Sequence, residues 1–153
     1  MTAPAFLAVV NPAAGGGVCG KRAPAAVARL RQAGLSVDVH ETRRSGEATD
    51  ITRDALAQGR RHFIAVGGDG TSYEIVNGIL AAGPVSGERP SLGMLPLGTG
   101  NSFLRDFTDR GAEYAIDALI AGKSRPCDVI RCTHTRGALH FINIFSIGFV
   151  ADV

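Results

Sequence analysis

The sequence predicts an α/β protein: a three-layer, doubly wound, mainly parallel sheet, followed by a β-hairpin. Short apolar runs recur at Ala5 to Val10, Phe63 to Val66 and Leu92 to Pro96, as in strands buried on both faces. Each run ends in a glycine-bearing turn that leads toward a segment of helical character. The 20 glycines, many at segment boundaries, suit the tight turns of alternating structure. Near Lys123 to Pro126 the alternation gives way to two strand-like runs. Residues 1–125 are therefore expected to form the α/β unit and 126–153 the start of a β-rich one.

A chain of 153 residues, 45% hydrophobic, suffices for one domain with a proper core. A net charge of +2 is too small to argue for a nucleic-acid partner or a strong membrane field. Cys19, Cys127 and Cys132 have no zinc spacing, and their odd number argues against a disulfide framework, so a reducing cytosol is expected. The start, Met1-Thr2-Ala3-Pro4, lacks the basic flank of a signal peptide, and no apolar run approaches a membrane span.

Ala5 to Val10 reads as the first strand. It runs into Asn11-Pro12-Ala13-Ala14-Gly15-Gly16-Gly17, an amide-rich loop able to wrap a phosphate chain, with Lys21 or Arg22 near the charge. It is not a Walker A loop, which needs Gly-Lys-Ser/Thr at the helix start. A helix is expected over Ala23 to Ala33, stopped by Gly34. Leu35 to His40 alternates as a strand, with Leu35, Val37 and Val39 on one side. Thr42 follows at its C-terminal end, where a hydroxyl can enter the crevice of an open sheet. The next helix spans Thr49 to Gln58.

The central stretch contains Gly67-Gly68-Asp69-Gly70-Thr71. Its glycines permit a tight turn with exposed amides. Thr71 as N-cap and Glu74 three residues later form a capping box. Tyr73, Ile75, Val76, Ile79 and Leu80 give the helix its apolar spacing. Strand, turn and helix start aim N–H groups at one point, where an anion fits. Asp69 would repel a phosphate unless a cation or an incoming hydroxyl lies between them. It either orients a metal-bound water or takes a proton, or it bonds to nearby loop amides.

Ala81 to Arg89 reads as a surface loop. After Leu92 to Pro96 comes Leu97-Gly98-Thr99-Gly100-Asn101-Ser102-Phe103, a third such turn. It is not the dinucleotide fingerprint, because Phe103 stands at the third glycine position. A helix is expected over Glu113 to Ala121. Strands follow over Cys127 to Cys132, with Asp128 inside the first, and over Leu139 to Ile147.

Gly67-Gly68-Asp69-Gly70-Thr71 with Glu74 and Asn77-Gly78 resembles the nucleotide loop of the diacylglycerol kinase catalytic-domain family. That family includes bacterial lipid kinases, sphingosine kinases and ceramide kinases and is distantly similar to NAD kinases and phosphofructokinases. Asn11-Pro12 with Gly15 resembles the family's Asn-Pro-x-x-Gly motif, and Glu41-Thr42 with Gly46 and Ala48 resembles its Glu-Thr-x-x-x-Gly-x-Ala segment. Pro96 to Phe103 resembles Pro-x-Gly-Thr-x-Asn-Asp-Phe, except that Ser102 replaces the Asp of many bacterial members. The stretch from Phe141 to Ala151 is also similar.

The resemblance implies an ATP-dependent lipid kinase using ATP and Mg²⁺, with residues 1–125 as its nucleotide-binding domain and 126–153 as the first strands of a truncated β-sandwich domain. It assigns nucleotide contacts to Asn11, Gly15, Gly16, Thr42, Gly67, Gly68, Gly70, Thr71, Glu74, Thr99 and Asn101, catalysis to Asp69 and a lipid contact to Asp128. It implies a lipid substrate, peripheral membrane contact from the cytoplasm, and leaves a homodimer open. The alternatives are an NAD kinase-like enzyme and a nucleotide-binding module without turnover. Since the likeness spans only the first half of such kinases, the chain is expected to be part of a longer one.

Overall fold

The computed structural model describes residues 5–81, 83 and 87–143. Strands β1 (Ala5–Val10), β2 (Ser36–Glu41), β3 (His62–Gly67) and β4 (Ser91–Pro96) form a parallel sheet in the order β2-β1-β3-β4. The register pairs Val10 with Glu41 on one side and with Val66 on the other, and Gly67 with Pro96. The C-terminal ends of all four strands are therefore level, and the three glycine turns leave from one edge. Strand order reverses between β1 and β3, which is where an open α/β sheet forms its ligand crevice.

Helices α1 (Val18–Gln32) and α5 (Gly111–Ile120) cover one face, and α2 (Glu47–Ala57) and α3 (Asp69–Ala81) the other. Pleating divides the central strands between two cores. Ala8, Val10, Ile64 and Val66 pack with Leu30, Val27 and Ile116. Leu7, Val9, Phe63 and Ala65 pack with Leu56 and Ile75. Full burial of side chains such as Phe63, Ile64 and Val66 contributes about 1.5–3 kcal/mol each. The expected three-layer parallel architecture is the one observed.

Several boundaries differ from the sequence reading. α1 begins at Val18 rather than Ala23 and runs through Pro24. Gly15, Gly16 and Gly17 take φ of 63°, 65° and 89° and deliver the chain early into the helix. Gly20 then packs so closely that a Cβ there would lie 3.1 Å from the Pro12 ring. α2 begins at Glu47 rather than Thr49. In β2, Val37 is buried but Val39 is 44% exposed, because this strand lies at the sheet edge. α3 begins at Asp69, so Thr71 sits in its first turn and the expected N-cap does not form; the Thr71 N–H donates to Gly68 O at 3.1 Å. Tyr73 and Leu80 face outward, while Ile75, Val76 and Gly78 are buried. A Cβ on Gly78 would stand 2.7 Å from Thr49 O and from Thr52 Cβ; its absence lets α2 and α3 touch.

After the short α4 (Ser102–Arg105) and then α5, the chain forms the antiparallel hairpin of β5 (Ile130–His134) and β6 (Gly137–Phe141). β5 starts three residues later than expected from Cys127, so Asp128 precedes the strand and is exposed. The expected continuation of the second strand toward Ile147, and the motif ending at Ala151, lie outside the described residues from 144 onward. Among the described residues, no helix is long and apolar enough to cross a membrane.

Candidate functional site

The three glycine turns meet through their main chains. Asn11 N–H donates to Val66 O at 2.9 Å and Gly98 N–H to Gly67 O at 2.8 Å. A Cβ on Gly15 would lie 3.2 Å from Leu97 O, and one on Gly98 would lie 2.7 Å from both Cα and N of Gly68. Only residues without side chains permit this approach. Two asparagines hold the turns in shape. Asn11 Oδ1 accepts from Ala13 N–H at 3.2 Å, a local Asx turn. Asn101 takes a left-handed φ of 53°, and its Nδ2 donates to Gly98 O at 2.7 Å, offsetting a conformation that L-residues avoid.

This packing leaves donors without acceptors. The main-chain N–H groups of Gly15, Gly16, Gly68, Thr99 and Gly100 have no protein partner among the described residues. The Thr71 hydroxyl is buried and also lacks a partner among them, and a Cβ on Gly67 would collide with it. An unpaired buried polar group costs about 1–3 kcal/mol. A cluster of unmatched donors at the crevice is the chemistry an anion would complete.

Asp69 reaches across this cluster rather than into its own turn. Its Oδ2 accepts from Ser102 N–H at 2.8 Å and its Oδ1 from Phe103 N–H at 3.3 Å. Gly100 lies close enough that a Cβ there would be 2.9 Å from Oδ2. Of the two sequence readings of this acid, bonding to loop amides is present, and the amides belong to the third turn. A carboxylate offers about four lone-pair sites, so two remain.

Residues 5–132 match the family model of the diacylglycerol kinase catalytic domain. The chain belongs to that family. It is 32% identical to a diacylglycerol kinase of Bacillus subtilis over 147 residues, covering 95% of this chain and 46% of that one. It is likewise 32% identical to a diacylglycerol kinase of Staphylococcus carnosus over 148 residues, covering 95% and 45%. A crystal structure of a diacylglycerol kinase from Bacillus anthracis superimposes with a TM-score of 0.68 at 31% identity, covering 84% of this chain and 44% of that one. The chain thus spans a little under half the length of these relatives.

Within this diacylglycerol kinase-family domain, the expected nucleotide residues other than Glu74 fall into two groups. Asn11, Gly15, Gly16, Gly67, Gly68, Thr71, Thr99 and Asn101 lie in or against the three converging turns, and Gly70 is exposed beside them. Thr42 belongs to an open cavity of about 610 Å³ lined by Pro12, Ala13, Val39, His40, Glu41, Thr42 and Arg43. Thr42 is 8% exposed, and its N–H donates to Val10 O at 2.8 Å. The sequence singles out Thr42 alone in this cavity and assigns no role to Pro12, Ala13, His40, Glu41 or Arg43, which line it with Thr42. Their position at or just after the C-terminal ends of β1 and β2, the edge where an open sheet takes ligands, was the available signal.

Glu74 and Asp128 stand apart. Both Glu74 oxygens are occupied by the start of α2, Oε1 accepting from Gly46 N–H at 2.8 Å and Oε2 from Ala48 N–H at 3.1 Å. The expected capping box with Thr71 is therefore absent, because α2 packs close enough to draw the carboxylate to its own N-terminus. Asp128 is exposed in the segment before β5, and Lys21 and Arg22 are exposed on α1. Among the described residues, no group of three or more His, Cys, Asp and Glu side chains could hold a metal ion.

Cys19 lies beneath the first turn, fully buried, with its thiol 3.5 Å from Val66 O. Burial, and then the charge of Glu41, push this thiol above its ordinary range. Glu47, in the first turn of α2, is held below the usual carboxylate range, mainly because the Arg43 N–H donates to it at 2.5 Å.

Proposed function

We propose that this chain is the ATP-binding part of a lipid kinase, transferring the γ-phosphate of ATP to a hydroxyl of a diacylglycerol or sphingoid-type lipid. The observation that carries this reading is the meeting of unmatched amides from three separate turns beside one acid, Asp69. The amides of Gly15, Gly16, Gly68 and Thr99 hold phosphate oxygens, and Asn11 and Asn101 keep the turns shaped to present them. Thr42 and the cavity walls receive the nucleoside. The residues suit a metal that arrives on the phosphates better than one caged by protein, since Mg²⁺ commonly takes one or two carboxylates and otherwise phosphate and water. Bound there, Mg²⁺ would neutralise phosphate charge.

In such reactions positioning and charge neutralisation supply most of the rate. Asp69 uses its free lone pairs to orient the metal or to take the proton of the lipid hydroxyl. Residues 126–153 begin the β-rich domain that completes the enzyme, with Asp128 on the lipid side, and the protein works in the cytoplasm at the membrane surface.

The test is phosphoryl transfer from labelled ATP and Mg²⁺ by the full-length protein, offered diacylglycerol, sphingosine and NAD in parallel. Label appearing in a lipid is the expected result. Label in NAD, or calorimetric binding of ATP with transfer to none of the three, would overturn the assignment.

A further inference from the structure

Glu74 was expected to touch nucleotide, yet its carboxylate is committed elsewhere. The N-cap position of α2 is Gly46, which takes φ of 82° and brings no side-chain cap of its own. The missing acceptors come from α3: Glu74 Oε1 takes the Gly46 N–H and Oε2 the Ala48 N–H. A negative group here also meets the positive end of the helix dipole. The Thr49 hydroxyl donates to the Glu74 carbonyl at 3.0 Å, and Gly78, one turn further along α3, removes the side chain that would separate the helices.

The chain just before this contact, Val39 to Arg43, forms much of the wall of the Thr42 cavity. Thr42 is tied to β1 through Val10 O, and Arg43 N–H donates to Glu47 on α2 at 2.5 Å. The segment 42–46 therefore runs between a fixed strand end and a helix start that Glu74 holds. α3, which carries Glu74, also begins with Asp69. We propose that Glu74 is a positioning residue: it caps α2 from α3 and so locks the Thr42–Arg43 wall in register with the Asp69 turn. This rests on the ATP-binding reading given above, and it assigns Glu74 no contact with the nucleotide.

Glu74→Ala and Glu74→Gln in the full-length protein test it. Hydrogen exchange at the Gly46 and Ala48 amides reads the cap directly, and KM for ATP against kcat reads its consequence, at a temperature well below both midpoints of unfolding. Alanine should speed exchange at both amides and raise KM for ATP roughly three- to thirtyfold, the range a lost cap supports, with kcat little changed. Glutamine keeps one acceptor and should fall between alanine and wild type. Unchanged exchange at the two amides overturns the cap. Faster exchange with an unchanged KM, or a kcat that falls while KM holds, overturns the positioning role. A wild-type protein that shows no ATP dependence overturns the functional reading itself, and that is seen before any variant is made.

Discussion

The carboxamide of Asn77 on α3 pairs with the main chain of His140 on β6 in both directions: Nδ2 donates to His140 O at 2.8 Å and Oδ1 accepts from His140 N–H at 2.9 Å. One side chain thus imitates a strand neighbour and moors the hairpin to the helix that begins at Asp69. An isolated hairpin is marginal in water, so this mooring matters to its order.

Asn77→Asp keeps an acceptor for His140 N–H but sets a carboxylate against the carbonyls of His140 and Tyr73, both of which Nδ2 now serves. A loss of about 1–3 kcal/mol is expected, which lowers the unfolding midpoint by several degrees. The amide of His140 should lose protection in hydrogen exchange. Protection equal to wild type would show that the hairpin is held by other contacts.

Gly98→Ala would place a methyl 2.7 Å from the backbone of Gly68, where no side chain can swing aside. Overpacking should cost about 1–3 kcal/mol, and parting the turns should weaken ATP binding in calorimetry. Gly70→Ala makes the contrast, since a Cβ there meets nothing within 4 Å and φ is not positive. Its unfolding midpoint should match or slightly exceed wild type. Equal effects at the two positions would contradict the close approach of the second and third turns.

For Asp69→Asn, one carbonyl acceptor survives for Ser102 N–H or Phe103 N–H, while the negative charge is gone. Phosphoryl transfer should fall by about 10²-fold or more, the scale of a lost acid–base group, with the circular dichroism of the native fold retained. Undiminished transfer would leave Asp69 a purely structural anchor of the third turn.

The Cys19 thiol titrates higher in the folded protein than unfolded. Its stabilising contribution is therefore complete below the unfolded value, about 8.5, and fades as pH rises through that value toward the folded one. Urea unfolding of wild type should weaken over this alkaline range more steeply than that of Cys19→Ala, the difference between the two isolating this group from other alkaline titrations. Parallel curves would refute the coupling. Under native conditions a thiol reagent should label exposed Cys127 before buried Cys19.

Glycine turns, apolar runs and the order of strand and helix were legible because each depends on neighbouring residues: burial selects the run, and the absence of a side chain permits the turn. Those local rules were enough for the parallel layered sheet and for the three glycine turns that leave its C-terminal edge. They could not reveal what a polar side chain would grasp. Asp69 bonds an amide 33 positions away, Glu74 one 28 away and Asn77 one 63 away. The local reading gave Glu74 to its own helix and Asp69 a choice between chemistry and its loop. Strand order decided otherwise: with β1 and β3 adjacent and α2 lying on α3, distant amides came within hydrogen-bond reach. Sequence alone determined which segments turn, extend or coil, since those choices are made by steric and solvent forces acting over a few residues. The tertiary structure decided which polar groups meet, because a hydrogen bond acts over about 3 Å of space whatever length of chain lies between its partners.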